Sequence, residues 1–138
     1  MSRIVFDNSA IMPLFFADED ATLAHNMLRQ AEHSKEKLLA PTLWFYEFGN
    51  VLTTARRRDR ITPDQLDTIC ELTRHLPIEV ATQPTLSEIH HQTLVARQFD
   101  LTFYDAAYLT LAAKACAALA THDRKLARAA AQHHIPLI

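Results

Sequence analysis

Hydrophobic and polar positions change period several times along the chain, and the changes divide it into short strands and longer helices. Largely apolar runs at 3–6 (RIVF) and 117–121 (AALAT) read as buried strands, with LLAP at 38–41 and PLI at 136–138 as shorter ones. Between them, apolar residues recur at helical spacings and predict helices over roughly 19–34, 43–58, 63–76, 84–98, 103–115 and 123–133. Thr62-Pro63 and Gln83-Pro84-Thr85 place a proline near a first helical turn, and Thr102 and Asp123 offer N-caps. Strands alternating with helices predict an α/β fold: a single domain with a short parallel central sheet flanked by helices.

Two of these helices carry an acid on the stripe that should face the core. Asp105 shares its stripe with Tyr108, Leu109 and Ala112, and Glu47 shares one with Trp44, Phe48 and Val51. Two further acids end strands: Asp7 directly follows RIVF, and Asp123 follows the AALAT run across His122. In open parallel sheets, ligands sit beyond the carboxyl ends of strands, where strand order reverses.

Each acid alone has an ordinary explanation. Asp7 or Asp123 can cap the next helix, and Glu47 or Asp105 can pair with an arginine across the core. Four together are harder to explain, because an unpartnered buried carboxylate costs on the order of several kcal/mol and its neighbours repel it. A divalent cation answers both costs. Mg²⁺ and Mn²⁺ prefer oxygen ligands and keep several waters, which suits acids without a cysteine or paired-histidine motif.

Composition narrows the chemistry further. At 138 residues and 49% hydrophobic, the chain is the size of one domain, and its formal net charge of -2 leaves any nucleic-acid surface to be local. Two cysteines, Cys70 and Cys116, make neither a disulfide framework nor a four-thiolate site and fit a reducing cytoplasm. No run approaches the roughly 20 apolar residues of a membrane span, and MSRIVFDNS lacks the apolar stretch of a signal peptide, so a soluble cytoplasmic protein is expected. The single glycine, Gly49, excludes glycine-rich phosphate cradles.

Around the acids, Ser9 and Thr121 each lie two residues from an acid and can donate to its carboxylate or cap a helix. Asn50 follows Glu47 by three residues, on the same side of its helix. Arg56, Arg57, Arg58 and Arg60 form one basic cluster, and Arg124, Lys125 and Arg128 another beside Asp123. Either can meet RNA phosphates, although basic residues at a helix C-terminus also favour the macrodipole. The eight histidines show no ligand spacing.

IVFDNSAI near the start, EFGNVL in the middle, LTFYDAAYLTLA late and ATHDRKL before the last helix together resemble a PIN domain, most of all the VapC-like toxin ribonucleases of VapBC toxin–antitoxin pairs. Asn8, Ile11-Met12 and His122 depart from the usual pattern but leave the acids intact. The resemblance implies an Mg²⁺- or Mn²⁺-dependent endoribonuclease with its acidic site on Asp7, Glu47, Asp105 and Asp123, leaving 5'-phosphate and 3'-hydroxyl ends. Asp7, Asp105 and Asp123 are then expected as metal ligands, direct or through water, and Glu47 as a ligand or the orienter of the attacking water. Arg124 and Lys125, beside that pocket, are expected to meet RNA. The resemblance also implies a toxin homodimer and a VapB-like antitoxin covering the active site, for which Leu14, Phe15, Phe16 and the acidic run 18–20 offer part of a surface. A receiver-like or non-catalytic PIN-like binding module is the alternative. Asp7 standing without an acidic neighbour argues against a receiver, and Ser9 in place of a second Asp argues against a haloacid-dehalogenase-like phosphatase.

Overall fold

Every strand of the central sheet is three residues long, and burial makes that sufficient. In the computed structural model, which describes residues 3–138, β1 (Ile4–Phe6), β2 (Leu38–Ala40) and β4 (Ala118–Ala120) are buried throughout, while β3 (Ile78–Val80) is half-exposed. The strands are parallel, in the order β3-β2-β1-β4. Such a sheet needs helices on its faces. They are α1 (Asn8–Ile11), α2 (Thr22–Ser34), α3 (Thr42–Arg57), α4 (Pro63–Thr73), α5 (Leu86–Gln98), α6 (Phe103–Lys114) and α7 (Arg124–Gln132), with a tight turn at Met12–Leu14 extending α1. Among the described residues, no helix is long and apolar enough to cross a membrane.

Strand order reverses beside β1. The chain moves outward from β1 to β2 to β3, then returns through α5 and α6 to place β4 on the other side of β1. The β1–β4 pair therefore borders the switch point at which open α/β sheets bind ligands. Its register, Phe6 opposite Ala120, brings the residues after each strand side by side, and the Asp7 amide bonds the Ala120 carbonyl at 3.4 Å.

One expected strand is corrected and another appears. PLI at 136–138 forms only a single bridge, Leu137 with Leu119, held by bonds from Leu119 N–H to Pro136 (2.8 Å) and Ile138 N–H to Leu119 (3.2 Å). The strand that appears is β3, at the edge of the sheet opposite β4, whose sequence IEV interrupts its apolar run with Glu79. Half-exposed, β3 buries too little to leave a hydrophobic signature. Likewise α1 is too short to show a helical period.

Helix ends explain how a chain with one glycine stays compact. Helices α3, α5, α6 and α7 all finish in a Schellman turn, and the residue that must turn left-handed is Asp59 (φ 53°), Asp100 (φ 53°), Cys116 (φ 50°) or His134 (φ 57°) instead of glycine. At α6 the Ala117 N–H reaches Ala112 (2.9 Å) and the Cys116 N–H reaches Ala113 (3.2 Å). The only glycine, Gly49, sits instead within helix α3, exposed, where an added Cβ would meet nothing within 4 Å. Its backbone freedom there costs stability, while the left-handed sites lack it. Gly49→Ala and Cys116→Gly should each raise the unfolding free energy by about 0.5–1 kcal/mol in urea denaturation with an unchanged slope. A loss of stability in either would contradict this reading of the helix ends.

Candidate active site at the sheet switch point

Asp7 is the anchor of the site. Extended backbone after β1 makes it the N-cap of α1, where it is buried (9% exposed) and accepts from the Ala10 N–H at 3.2 Å. Ser9 donates to its Oδ1 and Thr121 to its Oδ2. The direction of these bonds is set by the backbone beyond β4: the His122 N–H donates to Ser9 Oγ (2.8 Å) and the Asp123 N–H to Thr121 Oγ1 (3.0 Å). With a lone pair of each hydroxyl occupied by an amide, its proton is left for Asp7. The loops after two neighbouring strands are thus joined through one carboxylate.

The other three acids surround this anchor. Asp123 caps α7 by accepting from the Leu126 N–H (2.8 Å) and is exposed. Asp105 lies in the first turn of α6, half-buried, and its own N–H is capped by Thr102 Oγ1 (3.0 Å). Glu47, half-buried on α3, accepts from the Tyr108 hydroxyl at its Oε1. Both strand-end acids therefore do act as N-caps. The arginine-pairing explanation for Glu47 and Asp105 fails, because no ion pair among the described residues includes any of the four acids.

Burial raises three of these carboxyls, and the charges of neighbouring acids add to the rise. Burial pushes the Asp7 carboxyl above its ordinary range, further than its three donors draw it down, and the Asp123 charge adds to the rise. Glu47 is raised by burial, opposed by the Tyr108 bond and reinforced by Asp105 and Asp7. Asp105 is raised by burial and then by Asp123, against weaker opposition from Thr102 and Lys125. Burial and the Glu47 charge also raise the Tyr108 phenol, which stays a donor.

This donor set is all oxygen, and its charges are unbalanced, which is the chemistry a hard cation fits. Among the described residues, no three His, Cys, Asp or Glu side chains are gathered tightly enough to hold a metal alone. Mg²⁺ needs no such cage, since it commonly uses one or two carboxylates and keeps several waters.

The neighbouring polar residues divide. Asn50 is exposed and makes no hydrogen bond to any of the acids. Two residues of the first basic cluster are committed elsewhere: Arg56 bonds the Ile61 carbonyl (2.7 Å), and Arg60 lies over the Phe16 ring (3.9 Å) and pairs with Asp18 and Glu19. Lys125 pairs with the exposed Asp100 (3.0 Å) while lying close enough to Asp105 to lower its pKa, and Arg124 is exposed beside Asp123. Tyr108 is the contact that the sequence reading passed over. It appeared there only as an apolar neighbour of Asp105, although a hydroxyl-bearing residue one turn from an inward acid is a usable signal.

The family profile of the PIN domain matches residues 4–132. Among solved structures, the crystal structure of PAE2754 from Pyrobaculum aerophilum is similar, with a TM-score of 0.67 and 29% sequence identity, covering 92% of this chain and 85% of that one. No curated protein matches the chain by sequence. The family match spans nearly the whole chain and includes all four acids, and on that ground the protein belongs to the PIN domain family, whose members are typically nucleases.

Proposed function

We propose that this chain is an Mg²⁺- or Mn²⁺-dependent endoribonuclease acting as the toxin of a toxin–antitoxin pair. The observation that supports it most is the convergence of Asp7, Glu47, Asp105 and Asp123 at the switch point, with the proton affinity of three of them raised by burial and by one another and, among the described residues, no ion pair to any of the four. Asp7, Asp105 and Asp123 would hold the divalent ion, directly or through water, with Glu47 as a further ligand or the orienter of the attacking water. When bound, the ion supplies positive charge to the scissile phosphate and lowers the pKa of a water.

The chain's own groups supply the rest. Ser9 and Thr121 fix both oxygens of Asp7, so the anchor does not rotate as charge builds. Glu47 accepts a proton from the attacking water when its carboxylate is free to do so. Arg124 and Lys125, beside Asp123, would meet the phosphates of an RNA entering the pocket, and Lys125 can leave the solvent-exposed Asp100 for a phosphate at little cost. A VapB-like antitoxin and a toxin homodimer belong to the same proposal. Leu14 and Phe15, with Ile61, Ile69 and Leu72, line an apolar groove that would serve as part of the antitoxin surface, whereas Phe16 belongs to the core.

The discriminating experiment combines stability and cleavage. Mn²⁺ should raise the wild-type melting temperature saturably and support RNA cleavage that EDTA abolishes. Asp105 has a folded pKa above the ordinary 3.8, so its ionisation costs stability at neutral pH and Asn removes that cost. Asp105→Asn in EDTA should therefore be as stable as wild type or more so, while cleavage in Mn²⁺ falls on the order of 100-fold or more. A destabilised variant, or a stable one cleaving at the wild-type rate, would contradict the assignment.

The toxin reading has its own test. Expression of the chain alone should arrest growth, and co-expression of an adjacent small gene should restore it. Normal growth with intact folded protein would point to a nuclease outside a toxin–antitoxin pair or to a binding module.

A further inference from the structure

Tyr108 reaches the acid pocket from inside the core. The residue is 2% exposed, so neighbouring side chains fix where the hydroxyl lies. It stands one turn beyond Asp105 on α6, and its hydroxyl donates across to Glu47 Oε1 on α3. One helix thus carries both an acid of the pocket and the donor that holds another acid.

Glu47 needs such a holder more than the other three. Asp7 and Asp123 are N-caps and Asp105 lies in a first helical turn, where backbone amides and the positive end of the helix favour a carboxylate. Glu47 lies within α3, away from either end, on a longer and more flexible side chain. Among the described residues it makes no ion pair, and its side chain is held by the Tyr108 hydroxyl.

We propose that Tyr108 is a positioning residue: by tying down one oxygen of Glu47 it leaves the other aimed for a cation or the attacking water. The role rests on the nuclease reading of the acids. Tyr108→Phe is the natural variant, since it keeps the ring and the core volume and deletes only the donor.

In Tyr108→Phe, Mn²⁺ affinity, read from the saturable rise in melting temperature, should weaken about 10- to 100-fold, and kcat should fall with KM for RNA little changed. Its metal-free crystal structure should show Glu47 displaced or in several rotamers. In a Glu47→Ala background the same change should alter Mn²⁺ affinity no further, because Tyr108 acts through Glu47 alone. Should Tyr108→Phe fail to fold, proton NMR of the wild type reads the contact directly, as an exchange-protected hydroxyl proton that disappears in Glu47→Ala. Additive effects, an unmoved Glu47 or the absence of that protected proton overturns the proposal. A wild type that neither binds Mn²⁺ nor cleaves RNA overturns the nuclease reading and this role with it. A wild type that does both, beside a Tyr108→Phe variant with unchanged affinity and cleavage, overturns the Tyr108 role alone.

Discussion

Like charges held together without an ion-pair partner among the described residues are the constraint around which this molecule is arranged. Asp7, Glu47, Asp105 and Asp123 come from two strand ends and two helices, and burial and mutual repulsion raise the pKa of three of them. Carboxylates gathered for stability would be paired with arginine or lysine, whereas the described ion pairs lie elsewhere, among them Arg3 with Glu36 and Glu79 and Arg60 with Asp18 and Glu19. Fold stability is therefore sacrificed at this point of the structure, a pattern that characterises functional sites.

The fold tolerates that cost by surrounding the acids with donors that carry no charge. Two hydroxyls and an amide serve Asp7, the Leu126 amide serves Asp123, Thr102 caps the turn that carries Asp105, and a phenol serves Glu47. Neutral donors hold a carboxylate's geometry without cancelling the field that attracts a cation. The arrangement depends on parallel pairing of β1 with β4, since a slip of one residue would part Asp7 from Thr121. Short, fully buried strands make such a slip costly, because every residue in them is in the core.

Much of this was legible in the sequence, because the informative residues break a rule. Acids on apolar helical stripes stand out against helix periodicity, as Glu47 and Asp105 do, and the alternation of strand and helix suffices for the architecture. Short or half-exposed elements were not legible. Glu79 hides β3, PLI looks like a strand yet makes one bridge, and α1 has too few residues for a period. Tyr108 escaped for a different reason. Its ring is a core residue and its hydroxyl a site residue, and an apolar stripe registers only the ring. Asn50, placed on the right side of α3 by spacing, proves exposed because a face shared three residues apart still spans the edge of the buried stripe.

The central claim is that the four carboxylates form a cation site, and anomalous X-ray scattering from crystals equilibrated with Mn²⁺ addresses it most directly. The account predicts an anomalous peak beyond the carboxyl ends of β1 and β4, in contact with Asp7 and at least one of Glu47, Asp105 and Asp123, which disappears in Asp105→Asn crystals. A pocket with no peak at Mn²⁺ concentrations that support RNA cleavage, or a peak that persists unchanged without the Asp105 charge, would contradict it.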